Sequence, residues 1–287
     1  MANQRHLKRA VLVSAADHGI GRETALWLGE RGHHVLAVGN DLRAMDDMPR
    51  ETAPGGLVEI MALKSNDAAA YEQAVARAVT LFGRLDAIIC AGGAARRGPV
   101  EEVSDGTALE LLTDNYLAPL RLIRPAARLF RQQHHGRIVC LSAGTGRIAM
   151  PMSGPYCASR FALEGLCDAL RLELRGFGVD VSLIEPGLVR DRVAIDGGTN
   201  EPVAALFEVP DDSPYATMAR ALTTAYNELL LKAARPLDVA RVIERAITVK
   251  RPKPRYAVTR GMAALLLARK LLPDRMLDRR LSKALGL

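Results

Sequence analysis

The sequence predicts an α/β fold, a doubly wound parallel β-sheet with helices on both faces. Three observations predict it. Short runs dominated by Val, Ile and Leu recur along the chain, from RAVLVS (9–14) to VDVSLIEP (179–186). Segments of helical length and periodicity alternate with them. A glycine-containing turn, SAADHGIG (14–21), falls between the first apolar run and the first helical one. Apolar runs without strict alternation are what strands buried on both faces require, and such a sheet binds ligands at the carboxyl ends of its strands.

The elements follow in order. RAVLVS forms the first strand, the glycine turn leads into a helix over 20–31, and HVLAVG (34–39) is the second strand. VEIMAL (58–63) is the third, followed by a helix over 67–82; LDAIIC (85–90) is the fourth, followed by a long helical segment over 104–132. RIVCLS (137–142) is the fifth, then PYCASRFALEGLCDALRLEL (155–174) reads as a helix, and VDVSLIEP is the sixth strand. Residues 188–234 are less regular and follow a strand end, the place of a substrate lid. A helix over 238–249, a strand RYAV (255–258) and a basic helical tail complete the chain. No Pro/Gly/Ser-rich linker interrupts this order, so residues 1–259 read as one domain and 260–287 as a basic amphipathic extension.

The net charge of +7 is unevenly placed, because eleven Lys/Arg and only two Asp lie from Lys250 onward. A near-neutral body argues against a nucleic-acid partner and leaves only the tail to meet a polyanion. In that tail Leu277, Leu281 and Leu285 share a face opposite Arg275, Arg279, Arg280 and Lys283, a face for an anionic membrane surface, for the body or for a neighbouring subunit. The four cysteines (Cys90, Cys140, Cys157, Cys167) show no CxxC spacing and read as buried thiols, which fits the reducing cytoplasm. The apolar run after the basic start is too short for a signal peptide, and no stretch reaches the length of a membrane-spanning helix. His33–His34 and His134–His135 flank glycines at turns, read as solvated residues with no partners at metal spacing.

Chemistry concentrates at the strand ends. Glycines in SAADHGIG let the backbone approach a phosphate, and the following helix supplies donors and a favourable dipole; a tight turn alone would also use them. Tyr156 and Arg160, at i and i+4, share a helix face. With Asn115 in TDNYLAPL, Ser142 ending the fifth strand and Pro186-Gly187 after the sixth, this order resembles the single-domain short-chain dehydrogenase/reductase family, from about Lys8 to Val258, with YxxxR in place of YxxxK.

The resemblance implies a Rossmann-like domain binding a nicotinamide dinucleotide. Its contacts would be Ser14, Ala15, Asp17, His18, Gly19, Ile20 and Gly21 in the turn and Asn40 after the second strand. Cys90, Ala91 and Gly92 would follow from the fourth strand, Tyr156 and Arg160 from the helix, and Pro186, Gly187 and Val189 from beyond the sixth strand. It implies Tyr156 as general acid/base, Ser142 as substrate anchor, Asn115 holding a water within a proton relay, and Arg160 as charge partner. A unit charge about 5 Å from a phenol at an effective dielectric near 20 is worth roughly 3 kcal/mol toward the phenolate, and arginine keeps this term. A guanidinium does not deprotonate, so a relay through it would stop there.

Other positions depart from the family pattern. Ala15 replaces the first glycine of TGxxxGxG, CAGG (90–93) replaces NNAG, and Lys64 stands where an aspartate would accept from the adenine amino group. No acid stands at Gly39 and no base at Asn40, while His18 and Arg43 could approach a 2′-phosphate, which favours NADP(H) over NAD(H). The leading reading is an oxidoreductase acting on a carbonyl or secondary alcohol of a hydrophobic small molecule, since the lid mixes Leu, Phe, Met and Tyr. The resemblance also implies a homodimer or homotetramer. The departures sustain an alternative: a non-redox protein of this fold, either a cyclase or isomerase or a nucleotide-binding protein.

Overall fold

The computed structural model describes residues 8–64, 66–190, 207 and 209–287. Its strands are β1 (Ala10–Val13), β2 (His34–Gly39), β3 (Glu51–Thr52), β4 (Gly56–Ala62), β5 (Ala87–Cys90), β6 (Gly136–Leu141), β7 (Val179–Glu185) and β8 (Arg255–Ala257). They form one sheet in the order β3-β4-β2-β1-β5-β6-β7-β8, parallel throughout except for the β3–β4 pair. The expected strands are all present; β3, a two-residue edge strand, had no counterpart in the sequence reading.

The apolar runs lack alternation because both faces are covered. Leu12, Leu36, Ile88 and Ile138 point to one side, where α2 (Ala68–Phe82), α4 (Ala118–Gln133) and α5 (Gly154–Leu174) pack. Val13, Ala37, Ile89 and Val139 point to the other, against α1 (Gly19–Glu30) and the helix Pro236–Thr248. Local signals set the boundaries. Asp67 caps α2 by accepting from the Ala69 and Ala70 N–H groups, and Gly83 ends it in the left-handed region.

The long helical segment expected over 104–132 is divided. Helix α3 (Asp105–Leu112) passes through a π-helical turn (Thr113–Leu117) into α4. Within the expected lid, 191–206 and 208 lie outside the described residues, and Ala216–Leu230 forms a helix, α6. Pro236–Thr248 is then α7, and the tail is two helices, α8 (Arg260–Leu271) and α9 (Asp274–Leu285), separated at Pro273. Helix α9 packs on α6 with Leu277 and Leu285 buried, so the face considered for a membrane surface is turned to the body. No helix among the described residues is long and apolar enough to cross a membrane. All four cysteines are free and buried. His33 departs from expectation: it is 1% exposed and its Nδ1 accepts from the Arg9 N–H.

Candidate active site

The site is assembled at the carboxyl ends of β1, β2, β5, β6 and β7. Ser14 leaves β1 and its hydroxyl accepts from the Ala91 N–H at 3.2 Å, tying the glycine turn to the segment after β5. Ala15 has φ of +50°, a left-handed conformation that a side chain makes costly, and its methyl lies beside Gly92. Gly21 is required because a Cβ there would collide with the Ala15 carbonyl. Helix α1 then starts with Gly19, Ile20 and Gly21. His18, at its cap, makes no side-chain capping bond, and the first turn contains no acid. Its terminal N–H groups are therefore not capped by the His18 side chain, as an approaching phosphate requires.

Asp17 is turned toward β2. Its Oδ2 accepts from the Asn40 and Asp41 N–H groups at 2.9 and 3.0 Å, and its Oδ1 lies 2.9 Å from His18 Nδ1. Burial pushes this carboxyl up, but the His18 and Asp41 hydrogen bonds and the nearby imidazole outweigh it and hold Asp17 below the usual range. Beyond Asn40 a cavity of about 610 Å³ is lined by Lys64, Asn66, Thr113 and Asp114 among others. The sequence does not single out Asp114, whose carboxyl is pushed up by burial and lines this cavity together with Lys64 and Glu110.

The π-helical turn carries Asn115 fully buried. Its Oδ1 accepts from the Ala94 N–H (2.8 Å), and its Nδ2 donates to the Ala94 carbonyl and the Ser159 hydroxyl (2.9 Å each). Both amide hydrogens are thus spent, and of this side chain only a lone pair of Oδ1 remains for the relay water expected here. Asn115 also fastens the loop after β5 to α5.

The role expected of Ser142 is corrected. Its hydroxyl donates to Glu164 Oε1 at 2.6 Å and is buried, so it faces α5 and not the cleft. Ala143 follows with extended backbone, which turns its methyl the opposite way. Glu164 in turn pairs with Arg255 (2.9 Å), which also reaches Asp168 and Glu185, so β8 is bound to α5 through buried charges.

Tyr156 and Arg160 meet as their spacing implied. The guanidinium carbon lies 5.4 Å from the Tyr156 ring centroid. Arg160 is 6% exposed; its Nη1 donates to the Leu141 carbonyl at 3.1 Å, its Nη2 lies against Gly93, and its Nε is buried without a partner. Tyr156 is half-buried. Beyond β7 the Pro186 carbonyl accepts from the Gly144 N–H, Gly187 lies under Thr259 and Met262 at the start of α8, and Val189 is buried and bridges to Ala234. The contribution of α8 could not be read from sequence. The mouth near Tyr156 holds Arg97, whose guanidinium stacks on Tyr226 (5.0 Å) and Phe207 (5.4 Å).

These residues fit a dinucleotide. The α1 terminus lacks a side-chain cap, Gly21 leaves the turn open, and the buried Arg160 Nε is a donor awaiting an acceptor such as a ribose hydroxyl.

A strand-end cleft with a glycine turn and a Tyr–Arg pair on one helix defines a nucleotide-dependent α/β enzyme. Residues 9–201 match the model of the short chain dehydrogenase family, and the chain belongs to that family of NAD(P)-dependent oxidoreductases. It is 31% identical over 276 residues to the uncharacterized oxidoreductase YbbO of Escherichia coli, covering 95% of this chain and 94% of that protein. It is 30% identical to estradiol 17-beta-dehydrogenase 1 of Rattus norvegicus over 87% of this chain and 73% of that one. The fold is shared with a short-chain dehydrogenase of Streptomyces avermitilis (TM-score 0.78, 21% identity, 98% and 97% covered). It is also shared with one of Burkholderia phymatum solved in complex with NAD (TM-score 0.75, 21% identity, 96% and 97% covered).

Proposed function

We propose that the protein transfers a hydride between NAD(P)(H) and a carbonyl or secondary alcohol of an apolar small molecule, with Tyr156 as general acid/base. The observation that carries this is the Tyr156–Arg160 pair, with an unpartnered Arg160 Nε buried at the strand ends. A bound nicotinamide supplies the hydride to the carbonyl carbon or takes it from the alcohol. Tyr156 gives its phenolic proton to the oxygen in reduction and takes it back in oxidation. Arg160 keeps a fixed positive charge against the ring and offers its Nε to a ribose hydroxyl. The Leu141 carbonyl and Gly93 hold the guanidinium in that pose, and Asn115 holds the loop that carries Gly93 and Ala94.

With Ser142 turned to Glu164, Tyr156 meets the substrate oxygen without that hydroxyl, and a slow turnover is the expected consequence. Met152, Phe207, Leu222 and Leu285 are buried against one another with Tyr226 packed on them, so the apolar substrate is proposed from the relatives and not from this cluster. Similarity to a dehydrogenase named for estradiol supports the same class. The NADP(H) preference expected from His18 and Arg43 loses its support at His18, which is hydrogen-bonded to Asp17.

The test is calorimetric titration with NADH and NADPH, followed by assay against a panel of hydrophobic ketones. Binding of a coenzyme, with turnover that disappears in Tyr156→Phe while binding persists, supports the proposal. Turnover retained in Tyr156→Phe, or no binding of either coenzyme at millimolar concentration, overturns it.

A further inference from the structure

We infer that this chain takes NAD(H) and turns NADP(H) away, and that the discriminating residue is Asp17, a carboxylate delivered from the glycine turn and not from β2. The inference rests on the oxidoreductase reading. In sheets of this type the ribose 2′-hydroxyl is accepted by an acid near the end of β2, whereas a 2′-phosphate is accommodated by a base. The β2 strand ends in Gly39, which offers neither. The space a side chain would fill there is already taken, since a Cβ on Gly39 would lie 2.7 Å from the Asp17 carboxyl carbon and 2.8 Å from its Oδ1. The required acid is therefore present at the tip of β2, brought from twenty-odd residues earlier in the chain.

Its pose is fixed. Two backbone N–H groups, those of Asn40 and Asp41, bind Oδ2, and His18 binds Oδ1. A carboxylate has about four lone-pair sites, so one remains to accept a ribose hydroxyl. A 2′-phosphate brought to the same place would meet a negative charge instead of a donor.

The surrounding cations do not reverse that sign. Arg22 is bound to Asp47 and to the Ala44 carbonyl. His18 is hydrogen-bonded to Asp17 itself. Arg43 is exposed, and its main-chain N–H is held by the Asp41 carboxylate, which sets another negative charge beside it. Lys64 lines the adjoining cavity together with Glu110 and Asp114.

The experiment is calorimetric titration of the wild-type protein, Asp17→Asn and Asp17→Ser with NADH and NADPH. Each variant keeps an oxygen acceptor for the β2 N–H groups and removes the charge; circular dichroism confirms folding. Like charges about 5 Å apart at an effective dielectric near 20 predict that wild type binds NADH at least roughly tenfold tighter than NADPH. Either variant should narrow that ratio at least roughly fivefold, chiefly by tightening NADPH. A carboxylate that only capped β2 would weaken both coenzymes equally and leave the ratio alone. An unchanged ratio in the variants, or wild-type protein that binds NADPH as well as NADH, overturns the inference and leaves the oxidoreductase reading standing. Binding of neither coenzyme removes both.

Discussion

Replacing Arg160 with Met separates a residue kept for chemistry from one kept for stability. Arg160 is 6% exposed and no acid lies among its described partners. On the favourable side are one charged hydrogen bond to the Leu141 carbonyl, about 1.5–3 kcal/mol, and the stack on Tyr156, about 0.5–2 kcal/mol. Against these stand the buried, unpartnered Nε, about 1–3 kcal/mol, and several kcal/mol for holding a guanidinium away from water. The two sides nearly cancel, and a methionine fills much of the same volume. The coenzyme-free Arg160→Met protein should therefore unfold within about 1 kcal/mol of wild type, or be slightly more stable. NADH affinity should fall at least roughly tenfold, the loss of one charge-assisted hydrogen bond. Urea unfolding reads the first quantity and calorimetry the second. A variant destabilised by more than about 3 kcal/mol that still binds NADH normally would refute the reasoning, since Arg160 would then be structural.

Arg255→Met leaves Glu164 buried without its cation and Glu185 with Arg147 alone, and urea unfolding should show a loss of about 3–5 kcal/mol. Ala15→Gly relieves a left-handed alanine at the cost of chain entropy, and thermal unfolding should rise by up to about 1 kcal/mol, or roughly 2–4 °C. Asp86 is pushed up by burial, but the Ala10 N–H, His135 and Arg84 outweigh this and hold it below the usual carboxylate range. A depressed folded pKa stabilises above the unfolded value, near 3.9, and that stability is lost as pH falls through the folded value. The deficit of Asp86→Asn relative to wild type should shrink as pH falls below about pH 4; a deficit that persists unchanged through that range would contradict this.

The sheet was legible because both its faces are buried, so its strands are uninterrupted apolar runs, and β2 was bounded to the residue by His34 and Gly39. The π-helical turn was not, because TDNYL contains no glycine or proline. The extra residue is held by the Asn115 bonds to Ala94, a contact that helical periodicity does not encode. Ser142 and Ala143 differ by one position in an extended segment, and only the placement of α5 decides which of them faces Glu164. Asp17 was counted among coenzyme contacts, yet the acid was sought on β2, since sequence order does not reveal that the glycine turn delivers a carboxylate across to it. The apolar face of α9 was seen correctly, but its partner, α6, lies in a segment without clear helical signals.

The most direct measurement follows deuterium from NADH labelled at the transferring position into a hydrophobic ketone, read by mass spectrometry of the alcohol. Wild-type protein should place the label on the carbinol carbon, while Tyr156→Phe, still binding NADH, should transfer none. Label transferred equally by the variant, or no transfer by wild-type protein that binds NADH across the ketone panel, would contradict the assignment of Tyr156 and Arg160 as a working redox pair.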